Sequence, residues 1–383
     1  MPNDRANDRL LLVVGVPGTR RTEAVLAAAM AAGYRRIQLL PYTELLECDV
    51  PRIESGTLIR LESPSGCDAT TRGLLQLGSE PLAALGGMPL AREELTNWQP
   101  ARGEMQRPRQ WFLGFQRLLE RLEAAGDSAD AQWMSYPAAI LTAFDKLACL
   151  ERWNATDLPT PPRHSDIRSY EHLRSRIVRP HARIFIKLRY GFSAMGAVAL
   201  EWRDSLVRAI TPMQVEEVNS QPRLFLSKRP QVLRDESRIA WLIDELAKEE
   251  IIVEDWLPKA RYHGVPYDLR VVMIGGMMQH VVGRANSSPF TNLNLDAARL
   301  SRDVIETELG DAWNDLTQLC EQAAACLPTA NMLGLDVLVR PGKKRFTLLE
   351  ANAFGDYLPG LLHHCQSTYE LQFRESLKQL VEA

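Results

Sequence analysis

The sequence has no C-x-x-C pair among its six cysteines, no run approaching ~20 apolar residues, and no tract of concentrated basic charge. Each absence removes a class of protein. Cys48, Cys67, Cys149, Cys320, Cys326 and Cys365 are scattered, which argues against a zinc ribbon or a disulfide framework and fits a reducing, cytoplasmic setting. Without a long apolar run no membrane span is expected. The polar start MPNDRANDR leads into LLLVVGV, which is too short for a signal-peptide core with a cleavage site. Net charge is -3 with dispersed arginines, so a nucleic-acid-coating role is not indicated. No G-x-S-x-G elbow occurs and the seven histidines sit in unrelated contexts, so a Ser-His-Asp nucleophile is not indicated either.

What is present is ordinary in bulk. The 383 residues are 45% apolar and 24% charged, enough for two or three domains with cores of their own. The N-terminal pattern predicts a Rossmann-like start: a strand over 10–14, a turn over 15–18, a helix over 23–32 and a strand over 36–39. The turn GVPGTRRT lacks the Lys-Ser/Thr pair and spacing of a phosphate loop and reads as a structural connection. A further strand is expected over 57–61. A helix over 109–125 follows, with Phe112, Phe115, Leu118, Leu119 and Leu122 on one stripe. The proline-rich TDLPTPPR at 156–163 ends helical structure and marks a new domain. Beyond it, strands are expected over 183–187, 197–200, 251–254, 269–274, 278–282, 334–339 and 345–350, with helices over 237–248 and 311–325. That order suggests α+β structure with antiparallel hairpins.

The chemistry concentrates near the C-terminus, where LGLDVLV and FTLLEANAFGD are two apolar strands joined by RPGKK. Antiparallel pairing brings Asp336 near Glu350 and Asn352. Side chains alternate along a strand, so Glu350 and Asn352 share a face and three oxygen-bearing groups converge. Carboxylate and amide oxygens suit magnesium, and acids inside apolar strands must be paired or metal-bound. Pairing with nearby arginines or backbone is the alternative reading. His363, His364 and Cys365 are consecutive, so they diverge and read as surface or packing residues.

Over residues 136–362 the sequence resembles the ATP-grasp superfamily, in the branch of glutathione synthetase and RimK-type amino-acid ligases. The resemblance is carried by FDKLACLERWNATDLPTPP, IFIKLRYGFSAMGAVAL, IIVEDWLPKARYHGVPYDLRVVMIGG, HVVGRANSSPFTNLNLD and the C-terminal hairpin, in that order. It implies Lys146 and Lys187 as phosphate-binding lysines and Gly191 and Gly196 as ends of a mobile loop. It places adenine against Glu254, Asp255, Trp256 and Leu257, and makes Asp268 and Arg270 the D-L-R triplet whose arginine faces the terminal phosphate. Arg284 and Asn292 then serve the transferred group and the reacting carboxylate, and Asp336, Glu350 and Asn352 the metal. Two departures, Asp296-Ala297-Ala298 and the ending EANAFGDYLPG, leave the substrate unassigned.

The resemblance therefore implies an α/β and α+β chain with an ATP-grasp fold: a Rossmann-like domain at 1–140, a central lid domain at 141–250 and a catalytic domain at 251–383. It implies ATP and Mg2+ as cofactors, and as partners a small-molecule or peptide carboxylate and an amine acceptor. Neither nucleic acid nor membrane is expected, and self-association is left open. A peptide-modifying enzyme and a catalytically silent ATP-binding module are the alternatives.

Overall fold

A computed structural model describes residues 8–96, 98–218 and 221–382, and the strands among them fall into three sheets. The first has the order β2-β1-β3-β4 and is parallel, with β1 at Leu10–Gly15, β2 at Arg36–Pro41, β3 at Leu58–Leu61 and β4 at Gln132–Trp133. Parallel strands are covered on both faces and so read as unbroken apolar runs; every residue of β1 after Leu10 is buried. Helix Arg20–Ala31 carries the chain from β1 to β2, and its Thr22 N–H donates to the Thr19 side chain, an N-cap. Helix Pro108–Ser128 buries the expected stripe, with Phe115 meeting Tyr42 edge-on at 6.4 Å.

The second sheet is antiparallel, in the order β5-β10-β6-β7-β8-β9. Its strands are β5 at Arg163–His164, β6 at His181–Leu188, β7 at Val198–Arg203, β8 at Leu206–Val218, β9 at Gln221–Leu233 and β10 at Ile251–Asp255. On β6 the alternation sends Ile184, Ile186 and Leu188 into a core shared with helices Tyr170–Arg176 and Glu236–Ala247. Phe185 and Lys187 point the other way. Sheet membership does not follow the expected division at residue 250, since β10 pairs with β6. The hairpin of β8 and β9 was not expected from sequence, because Pro212, Pro222 and Pro230 and many charges obscure the period. A register shift between Thr211 and Met213 absorbs Pro212.

The third sheet has the order β14-β13-β12-β15-β16, with β11 pairing β12 beside it. These are β11 at Arg261–Tyr262, β12 at Val265–Ile274, β13 at Met277–Ala285, β14 at Ala298–Leu300, β15 at Met332–Val339 and β16 at Phe346–Asn352. Helices Arg302–Leu309 and Ala312–Ala325 cover one face, where Ile305, Leu316 and Cys320 join the core of Leu269 and Val271. The opposite face is shared. Val272, Ile274 and Val282 are buried with Tyr369, Leu371 and Phe373 of helix Thr368–Glu382, whereas Asp268 and Arg270, nearer the start of β12, lie along a cleft. The six cysteines are free. Among the described residues no helix is long and apolar enough to cross a membrane.

Candidate active site

Strand register collects the candidate residues onto one face of the third sheet. Asp268 pairs with Arg284, Arg270 with Asp336, and Asp336 with Glu350, while Gly334 pairs with Asn352. Directly opposed residues and those two apart share a face, so Arg284, Asp268, Arg270, Asp336, Glu350 and Asn352 all point to the same side. Lys187 and Phe185 of β6, with Glu254 opposite Phe185 on β10, form the facing wall on the second sheet. Between the walls lies a cleft of about 830 Å³, counted to its open mouth and lined also by Leu338, Leu349 and Phe290.

At the apolar end of the cleft, buried Glu254 gives Oε2 to Lys187 Nζ at 2.8 Å, while its buried Oε1 has no partner among the described residues. Burial alone would lower the Lys187 pKa, but the Glu254 and Glu350 carboxylates raise it above the usual lysine value. Lys187 also donates to Leu349 C=O at 3.3 Å. That carbonyl lies at a bulge: Asp336 pairs with Glu350 and Val337 with Leu348, so Leu349 is the extra residue. In the hinge after β10, the Asp255 N–H goes to Pro162 C=O and the Trp256 N–H to Arg183 C=O. Leu257 N–H is left without a backbone partner among the described residues. The Asp255 carboxylate is held by His164 at 2.9 Å, and the Trp256 ring lies under the Arg183 guanidinium at 3.8 Å.

The acids and arginines of the third sheet form a continuous chain. Asp268 is fully buried and accepts from Arg284 Nε at 2.9 Å, Lys259 Nζ at 2.8 Å and the Thr291 hydroxyl. Burial opposes its charge, but Arg284 and Lys259 overcome it and hold its pKa at about 2. Asp336 accepts from Arg270 Nε at 2.6 Å on one oxygen and from Arg284 Nη2 at 2.9 Å on the other. Burial again raises its pKa, and the two guanidiniums bring it below the usual carboxylate value. Arg270 continues to Asp356 at 3.1 Å. Lys259, Thr291 and Asp356 were not picked out from sequence, since no spacing announces a contact that arises between a loop and a strand.

Lys146 begins helix Lys146–Asn154, placing its ammonium 3.9 Å from Glu350 Oε2 and donating to Gly191 C=O. Its neighbour Asp145 accepts from Leu147 and Ala148 N–H as the helix cap and is gripped by Arg189 at 2.8 and 2.6 Å. Asp145 and Arg189 thus fix the helix start and the strand end that carry the two lysines. The loop from Gly191 to Gly196 closes this side: Tyr190 stacks on Phe112 at 4.2 Å, Phe192 meets Trp111 at 6.3 Å, and Asn294 reaches Ser193 at 3.4 Å. Asn292 lines the cleft and the larger space beyond it.

Of the three expected metal ligands, two offer uncommitted oxygen. Among the described residues Glu350 has Lys146 as its salt-bridge partner, with Lys187 acting on it through space, and Asn352, on the wall of the larger space, donates its amide N–H to Gly334 C=O at 3.0 Å and keeps an oxygen without a hydrogen bond. Asp336 is instead held by arginine on both oxygens. Among the described residues no group of three or more His, Cys, Asp or Glu is arranged to hold a metal unaided. An oxygen pair that leaves most positions open fits a magnesium whose remaining ligands are phosphates and water. The partnerless Glu254 oxygen fits a ligand that brings its own donor, such as the amino group of adenine.

No family model matches the chain, and no curated protein matches it. Solved structures do. The ATP-grasp ligase PsnB, complexed with a phosphomimetic variant of its minimal precursor, Mg and ADP, aligns with a TM-score of 0.51 at 15% identity over 98% of each chain. A RiPP-associated ATP-grasp ligase of Chryseobacterium gregarium, in complex with ADP and a leader and core peptide, aligns with a TM-score of 0.51 at 11% identity, over 98% of this chain and 96% of that one. The ADP complex of purK, an N5-carboxyaminoimidazole ribonucleotide synthetase, gives a TM-score of 0.52 at 12% identity, over 96% of this chain and 76% of that one. With three sheets in this order and a cleft between the second and third, the chain has the ATP-grasp fold.

Proposed function

We propose that this protein is an ATP- and magnesium-dependent ligase that joins a carboxylate to an amine through an acyl phosphate. The observation that carries the reading is the meeting of Lys146 and Lys187, from two separate elements, beside Glu350 in a cleft that ends at the partnerless oxygen of Glu254. Glu254 and Leu257 N–H would select adenine, with Phe185, Leu338 and Leu349 as its apolar surroundings. The lysines would neutralise the phosphate tail. Glu350 and Asn352 would hold magnesium, whose role is to offset charge as the phosphoryl group moves, and Asp336 would join them only by yielding an arginine. Arg270 and Arg284 stand ready for the oxyanions of the reacting end, since a planar guanidinium matches phosphate and carboxylate. No protein nucleophile is required, because the substrate carboxylate itself attacks phosphorus and the residues act by positioning and charge. The Gly191 to Gly196 loop would keep water from the activated acid.

A peptide substrate is the second reading, favoured by the space of about 1570 Å³ beyond the cleft and by the peptides held in two of the similar structures. The complete set of acidic and basic groups speaks against a silent binding module. The deciding assay mixes the full chain with ATP, magnesium and pools of carboxylates, amines and acidic peptides. ADP and phosphate released only when both an acid and an amine are present support the ligase, and a peptide that loses water identifies the second reading. ATP binding with no turnover in any pool contradicts both.

A further inference from the structure

The larger space beyond the cleft has a wall from the first sheet. In that sheet β1 leads to β2 on one side and the parallel β3 lies on the other, so the strand order reverses between β1 and β3. Ligands of open parallel sheets bind outside the carboxyl ends of the strands at such a reversal. Here that crevice presents Arg21, from the helix after β1, and Ser63 and Ser65, from the segment after β3, and all three line the same space as Lys146, Arg270 and Glu350.

The charge there is unbalanced. Buried Glu62 accepts from Arg21 Nε at 2.8 Å, Arg60 Nη1 at 3.1 Å, Tyr369 OH at 3.0 Å and Ser63 N–H at 2.8 Å. Two guanidiniums therefore share one carboxylate whose lone pairs are fully used, and Asp356, a further acid that acts on Arg21, is already bonded to Arg270. Arg21 Nη2 donates to Phe354 C=O at 2.9 Å, and its Nη1 has no partner among the described residues. The Ser63 and Ser65 hydroxyls touch each other at 2.8 Å at the exposed rim. A planted, half-satisfied guanidinium beside two hydroxyls calls for an oxyanion.

We propose that this crevice is a subsite for a second oxyanion on the carboxylate substrate, with Arg21 as its main contact and Ser63 and Ser65 as hydroxyl donors. The substrate acid is then at least dianionic, one anionic group being activated near Arg284 and the other anchored at Arg21. This rests on the ligase reading and narrows it to acids that carry a carboxylate or phosphate besides the reacting group.

The test is calorimetric titration of the full chain, loaded with AMPPNP and magnesium, with matched compounds: L-glutamate against L-glutamine, glutarate against butyrate, and O-phospho-L-serine against L-serine. At least one dianionic member should bind about 10-fold or more tighter than its match, a margin typical of a charge-assisted contact. The first two pairs report a carboxylate and the third a phosphate. Arg21→Met should erase the margin, with AMPPNP affinity as the control for folding. A Ser63→Ala/Ser65→Ala double variant leaves Arg21 and Glu62 in place, and it should reduce the margin even if Arg21→Met does not fold. Equal affinities within every pair, or a margin unchanged in the folded variants, overturn the subsite. Failure to bind AMPPNP at all would instead defeat the ligase reading beneath it.

Discussion

Asp336 and Glu350 are cross-strand partners on β15 and β16, yet their carboxylates keep opposite company: Asp336 is clasped by Arg270 and Arg284, while Glu350 faces the cleft with Lys146 3.9 Å away. Neighbouring acids on one face thus divide the work. One neutralises Arg270 and Arg284, and the other remains available to a ligand.

Their substitutions should therefore separate. Glu350→Gln should lower ADP production at least ~100-fold while leaving thermal stability within a few degrees, because it removes a charge that the proposed magnesium would need but the fold does not. Asp336→Asn should lower stability by about 1–3 kcal/mol, since it removes a counter-charge shared by two buried guanidiniums and leaves Arg284 with Asp268 and Arg270 with Asp356. Turnover and urea unfolding of both variants decide the point, and near-normal ADP production by Glu350→Gln would remove Glu350 from the site.

Glu254 should govern which base is bound. Its Oε1 has no protein partner while Oε2 holds Lys187. Glu254→Ala should weaken ATP binding by about 10-fold and narrow the preference for ATP over GTP, as expected when a charged hydrogen-bond acceptor is lost. Titration with both nucleotides measures it; an unchanged ratio means that Glu254 does not read the base.

Acid should act through Asp268. Its folded pKa of about 2 lies below the unfolded value of about 3.9, so the folded state favours the carboxylate. Between these values the unfolded chain binds more protons, and stability rises with pH there. The contribution is complete above pH ~5 and lost progressively as pH falls toward ~1, in total roughly 2–3 kcal/mol. Urea unfolding at stepped pH should show the parent losing about that much more than Asp268→Asn over this window; parallel curves would contradict the assignment.

Gly196 should resist any side chain. Its φ is +71°, and a Cβ would come within 2.4 Å of the Leu188 side chain. Gly196→Ala should cost about 1–3 kcal/mol through strain and crowding where the loop rejoins the second sheet. Thermal unfolding reads the cost, and an unshifted midpoint would show that the loop adapts freely.

Much of the site was legible because a strand's period of two is visible in sequence. LGLDVLV and FTLLEAN placed Asp336, Glu350 and Asn352 on one face before any pairing was known. The arginine clasp on Asp336 was not legible as a choice over metal, because it depends on β12 lying beside β15, a contact between residues 66 apart in the chain. Lys259 and Thr291 were missed for the same reason: they reach Asp268 from loops. Asp145 hid beside Lys146: its cap on the helix is local, but its pairing with Arg189, 44 residues away, is a tertiary contact. The β8–β9 hairpin was lost to its prolines. Helix Thr368–Glu382, which covers half of the third sheet's cleft-side face, left no expectation from sequence at all.

In the proposed ligase one cleft would hold the nucleotide's base at Glu254 and its metal at Glu350. A crystal structure with AMPPNP and Mn2+, recorded with anomalous scattering, tests this directly. Adenine is expected against Glu254 and an anomalous peak beside Glu350 and Asn352, with the phosphate tail at Lys146 and Lys187. Nucleotide bound elsewhere, or a manganese peak away from Glu350, would contradict it.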